Sequence, residues 1–333
     1  MSFGVRIRLL AALAGLTAGL VAVAVAAVLV HDTLGTSAAT TNAVVGASTV
    51  PPRRNTVAPG FPAPPGFPAP PEGAVVYARE HGPDVLALGV VPRSGALLLQ
   101  ASVLGGQGHG VPGLRVVFNV RGERRVGTPC GAGCYRATVP LTASPDVVSL
   151  EVSGRAVSAS WRVELPTMWP PPDGAAILAR AGRVWRSLRS LAYVEQLASD
   201  STDQTTSTWR VAAPDRATYS IHGDGGAVVI GARRWDRSTP DGRWVSSPQS
   251  APITQPVPFW VAVSNAHVLG TVPVSGRAAW LVSFFDPETP AWFEVTVEKR
   301  TGRTLALRMF ATAHFMHDVY RSFDSAPPIV PPR

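Results

Sequence analysis

Short apolar or alternating runs, each closed by glycine, proline, serine or aspartate, follow one another from Val75 to Tyr320. Runs this short suit β-strands, whose side chains alternate between two faces, and the residues between them are those that tight reversals need. The first seven are Val75–Ala78, Val85–Val91, Ala96–Val103, Leu114–Val120, Tyr135–Leu141, Val147–Val152 and Val157–Leu165. Turn signals such as Gly82-Pro83, Pro92–Gly95, Pro112-Gly113 and Ser153-Gly154 separate them. Seven short strands with regular turns predict an antiparallel β-sandwich over 74–166.

Met168–Pro172 breaks the pattern, and Asp173 follows as a candidate helix cap. Ile177, Leu178, Ala181, Val184, Trp185, Leu188 and Leu191 then recur at helical spacing, with Arg180, Arg183, Arg186 and Arg189 on the other side. This predicts one long amphipathic helix, its arginines forming either a solvated face or a contact with anionic headgroups. Ten further strand-like runs follow: Tyr193–Leu197, Thr205–Val211, Ala217–Ile221, Ala227–Trp235, Arg243–Ser247, His267–Val274, Ala278–Phe285, Ala291–Val297, Thr304–Phe310 and Ala313–Tyr320. The fold class is therefore mainly β, and 173–333 is expected to form a sheet large enough to curl around a ligand.

At the other end, Leu9 to Val30 carries no charge and exceeds the ~20 apolar residues that cross a bilayer. Arg6 and Arg8 precede it, and no arginine or lysine follows until Arg53, so residues 1–8 are placed in the cytoplasm and the bulk outside. A single-pass transmembrane anchor at 9–30 is the expectation. A cleaved signal peptide is the competing reading, and both export the remainder. Residues 31–73 read as a stalk: Pro59-Gly-Phe-Pro-Ala-Pro64 recurs at once as Pro65-Gly-Phe-Pro-Ala-Pro70, a density that favours extended polyproline II.

Charge excludes less than it first suggests. The formal net charge is +8, but the basic residues are almost all arginine, Lys299 being the sole lysine, and none forms a long run. Nucleic-acid binding needs such charge gathered on one face, so no nucleic-acid partner is expected. Nucleophile-elbow, zinc-protease and phosphate-loop motifs are absent, and Gly108–Gly113 spells a dinucleotide fingerprint ahead of a strand, not a helix. The chain is not expected to be an enzyme, and no cofactor is required, with copper as the alternative.

Cys130 and Cys134 are the only cysteines. Outside the cytoplasm they are expected to form a disulfide; the alternative is a dithiolate for a soft metal such as Cu(I). His314, Met316 and His317 form the His/Met cluster, and on a strand His314 and Met316 share a face with Asp318 and Tyr320 while His317 points away. These five are the candidate metal ligands. Trp209, Trp235, Trp244, Trp280 and Trp292 bring large apolar surface with one polar handle each, and are the candidate lining of a ligand pocket.

Two resemblances add to this reading. Pro214-Asp-Arg-Ala-Thr-Tyr219, Val228–Gly231, Arg234-Trp235, Gly242-Arg-Trp244 and the closing Tyr320-Arg-Ser-Phe323 with Pro327–Pro332 resemble the LolA/LppX-like lipoprotein carriers over 173–333. That resemblance implies a curved half-barrel holding acyl chains or another apolar ligand. The strand Gly133–Val139 makes 74–166 similar to Ig-like YtkA/FixH modules, which precede LolA-like domains at the exported end of CopD-type copper-resistance proteins. Ala313–Asp318 is similar to segments in that setting, although the chain offers one membrane helix and no permease. The expected function is a membrane-anchored extracytoplasmic protein that holds or senses a hydrophobic, lipid-like ligand. A copper-homeostasis accessory protein and a ligand-free module docking an envelope partner are the alternatives.

Overall fold

The computed structural model describes residues 66–141, 146–155, 157–200, 203–249, 251 and 253–333. The cytoplasmic end, the anchor and most of the stalk expected from the sequence lie outside these residues. Among the described residues no helix is long and apolar enough to cross a membrane.

The first β unit has two facing sheets. Strands β1 (Val75–His81), β2 (Asp84–Arg93), β3 (Ala96–Leu104), β6 (Thr128–Gly131) and β7 (Cys134–Pro140) form one, in the order β1-β2-β3-β7-β6. Strands β4 (Arg115–Val120), β5 (Glu123–Val126), β8 (Val147–Ser153) and β9 (Ser158–Glu164) form the other, in the order β5-β4-β8-β9. Leu86, Leu88, Leu97 and Leu99 meet Val116, Phe118, Leu150 and Val152 in a shared core. Strand β2 is uncharged and apolar from Val85 to Val91 because its other face is also buried: Val85, Ala87 and Val91 join a second cluster with Phe285, Trp292, Phe310 and Phe315.

Those four aromatic residues belong to one eleven-stranded sheet. Its strands are β10 (Ser190–Asp200), β11 (Asp203–Ala212), β12 (Arg216–Ile221), β13 (Gly226–Ile230), β14 (Arg233–Arg237), β15 (Val245–Pro248), β16 (Ser264–Val274), β17 (Arg277–Asp286), β18 (Ala291–Glu298), β19 (Thr304–Ala311) and β20 (His314–Arg321). Two antiparallel meanders, β10 to β15 and β16 to β20, are joined where β20 pairs with β10. One face carries the helix α1 (Ala175–Ser187), whose Leu178, Ala181 and Trp185 are buried against Phe284, Phe293 and Tyr320. Trp185 donates its indole N–H to Thr304 Oγ1 at 2.9 Å, satisfying a buried polar pair. The opposite face meets the first β unit.

Several expectations need correction. The helix is shorter than its periodicity suggested: Leu188 is its extended cap, and Leu191 lies on β10. Asp173 acts from one residue upstream of the cap, its carboxylate accepting from the Ala175 N–H at 2.8 Å. Ala227–Trp235 is two strands, because Gly231, at φ 57°, reverses the chain between Ile230 and Arg233. Strands β5 and β6 carry no apolar signal because every residue of both is exposed. The last stalk residues are docked. The Phe67 ring lies 5.9 Å from Phe285 and 5.7 Å from Trp292, while the carbonyls of Pro68 and Ala69 accept from Ser102 and Gln100.

Candidate functional site

The helix-bearing face of the large sheet holds the densest chemistry. Strand register places Tyr219, Trp209, Tyr193 and Tyr320 side by side across β12, β11, β10 and β20. Their rings form a ladder with centroid spacings of 4.5, 5.8 and 5.4 Å. Phe259 closes on Tyr193 edge-on at 6.0 Å, and Trp185 on Tyr320 at 5.0 Å. Such offset and edge-to-face contacts suit the ring quadrupoles.

Two residues further along the same strands, and so on the same face, Ser207, Glu195 and Asp318 form a second cross-strand row. Glu195 is 5% exposed and Asp318 fully buried, and they are direct cross-strand partners. Opposite positions in an antiparallel pair hold their Cβ atoms about 5 Å apart. Ser207 donates to Glu195 Oε1 at 3.3 Å and receives the Trp209 indole N–H at 2.7 Å. Tyr320 donates its hydroxyl to Asp318 Oδ2 at 2.5 Å. Asp318 Oδ1 has no hydrogen-bond partner, and neither carboxyl is ion-paired among the described residues.

Burial dominates the electrostatics of this row. It raises Glu195 to about 7, against the hydrogen bonds from Ser207 and Trp209. Asp318 is raised well above the usual carboxyl range by burial and then by the charge of Glu195, with the Tyr320 hydrogen bond opposing. Two carboxyls this close repel one another when both are ionised, so the pair retains a proton near neutral pH.

A third row on this face brings Leu197, Met316 and Met309 together. Beyond Met316 stands His314, whose Nε2 is buried without a partner among the described residues and whose ring burial pushes down to about 4. His314 and Met316 thus share a face as the strand period requires. His317 lies on the other side, its Nδ1 3.4 Å from Gln196 Oε1, in a cleft of about 240 Å³ that Glu80, Gln204 and Arg308 also line. Cys130 and Cys134 are joined as a disulfide between β6 and β7, which leaves no thiolate for a metal. Among the described residues no three His, Cys, Asp or Glu side chains group as a metal site.

The five tryptophans do not line one pocket. Trp209 is in the ladder, and Trp280 packs against the same core with the Lys299 ammonium 3.5 Å over its ring. Trp292 faces the first β unit, beneath Phe67. Trp235 pairs with Val228, on the side of β14 opposite the core residue Val229. Trp244 precedes β15 and lies under the Arg237 guanidinium at 4.7 Å. The carboxyl pair was missed by sequence reasoning. Its one local signal was Glu195, a charged residue at the core-facing position between Tyr193 and Leu197.

No family model and no curated protein matches the chain. Solved structures of the LolA/LppX type are similar to part of it. LprF from Mycobacterium bovis is 11% identical, over 47% of this chain and 95% of that one, at a TM-score of 0.35. The Mycobacterium tuberculosis lipoprotein LppX is 7% identical over 46% and 97%, at 0.34. A LolA superfamily protein from Nitrosomonas europaea is 8% identical over 47% and 95%, at 0.22. At these values the likeness carries no functional argument.

Proposed function

We propose that this chain is an extracytoplasmic binding protein, tethered to the membrane through residues 9–30, which holds or senses an apolar ligand on the helix face of its large sheet. The observation that carries the reading is the mismatch between that face and its cover. Eleven strands at ~4.8 Å spacing span roughly 48 Å, whereas the cover is a 13-residue helix about 20 Å long and 10 Å wide, joined by Ile253, Phe259 and Trp260 from the segment between β15 and β16. Residues of β13 and β17, far apart in strand order, nevertheless share one core, which supports a sheet curled into a half-barrel. Trp209, Leu197, Ile177, Phe259 and Trp280 remain only partly buried at the edge of this core, an apolar margin on which a ligand can seat.

The order β2-β3-β7-β6 against β5-β4-β8-β9 supports an Ig-like reading of the first unit. Native mass spectrometry of the full chain, released gently from mild detergent, tests the proposal. A lipid-mass adduct, weakened in Trp209→Ala, is expected; wild-type protein that carries no such adduct would overturn it. A copper-homeostasis role is the second reading. It is favoured by the unpartnered His314 Nε2 with Met316 and Met309 on the same face. A stoichiometric copper adduct lost in His314→Ala would establish it.

A further inference from the structure

An apolar ligand alone leaves the polar row of Ser207, Glu195 and Asp318 unexplained. Building on the apolar-ligand reading, we infer that Glu195 and Asp318 are a head-group site, and that the ligand carries an ammonium group on its apolar body.

Two buried carboxyls placed directly opposite one another form a negatively biased spot in an apolar wall. A carboxylate or phosphate head would be repelled there, and among the described residues no arginine or lysine pairs with either group to offset it. A hydroxyl would offer a single donor. An ammonium offers three donors and one positive charge, against Asp318 Oδ1, which has no partner among the described residues, and the facing Glu195 carboxyl. One retained proton leaves the pair with a single negative charge, which one ammonium balances. Leu197 and Thr205, in the adjoining row, are partly exposed and give the head group a way in.

Three single-chain amphiphiles of equal length separate the cases: dodecylamine, dodecanol and dodecanoate, each below its micelle-forming concentration, titrated into the full chain and followed by tryptophan fluorescence. Dodecylamine is expected to bind at least about tenfold more tightly than dodecanoate, which is ~1.4 kcal/mol. Asp318→Asn and Glu195→Gln are expected to abolish that preference while dodecanol binding persists. Equal binding of all three by the wild type, or preference for dodecanoate, overturns the head-group assignment and leaves the apolar-ligand reading intact. Binding of none of the three sinks both. Because the wild type alone decides between these outcomes, the test stands even where a variant folds poorly.

Discussion

Replacing Glu195 by glutamine should flatten the pH dependence of stability. The folded chain holds the Glu195 proton up to about 7, whereas an ordinary glutamate releases it near 4.5. Between those values the native state binds more protons than the unfolded state, so stability falls as pH rises through the window. The slope is about 1.4 kcal/mol per pH unit, and the full window is worth ~3 kcal/mol, undiminished by solvent because the group is buried. Asp318 acts in the same direction, since it too is raised. His314 opposes it: its folded value is lowered to about 4, so it contributes stability that grows with pH below its ordinary 6.5. The readout is therefore the difference between wild type and Glu195→Gln in denaturant unfolding, at pH values from about 5 to about 8. Glutamine keeps an acceptor for Ser207 and cannot ionise, so the variant should gain on the wild type steadily toward alkaline pH. A difference that stays constant across the window, or that favours the wild type at its upper end, refutes the argument.

Phe67→Ala should loosen the joint between the two β units. A half-buried ring stacked on Phe285 and Trp292 is worth about 2 kcal/mol, and the loss should appear as a lower Tm and faster proteolysis between the units. Replacing both Cys130 and Cys134 by serine should cost only about 2 kcal/mol, because the bridge joins residues four apart and closes a small loop. Reductant should lower the wild-type Tm by the same amount and leave the double variant unmoved.

The strands were legible where one face is wet and the other dry, as in Trp161–Leu165, whose alternation matches β9. Where both faces are exposed, as along Glu123–Val126, an edge strand looks like a charged loop. The helix was overextended because Leu188 and Leu191 continue its period by accident: Leu191 is buried as the second residue of β10. The site was less legible than the fold for a related reason. Strand period alone put His314, Met316, Asp318 and Tyr320 on one face, and they are. That Glu195 sits opposite Asp318 depends on which strands pair and in what register, and β20 reaches β10 across the whole length of the second unit. The tryptophans failed as a group because the large sheet buries both of its faces, so an indole on either side looks alike in sequence.

The docked segment ahead of β1 also decides how the molecule would carry a load. Phe67 grips the second unit through Phe285 and Trp292, the Pro68 and Ala69 carbonyls grip the first through Ser102 and Gln100, and the Gly73 N–H reaches back to Asn265 at 2.9 Å. A pull from the amino-terminal side is divided between both units before it reaches the hydrogen-bond ladder of β1 and β2. Tension applied to this segment would load both units before β1, as a strain relief does, and so spare β1 from being unzipped.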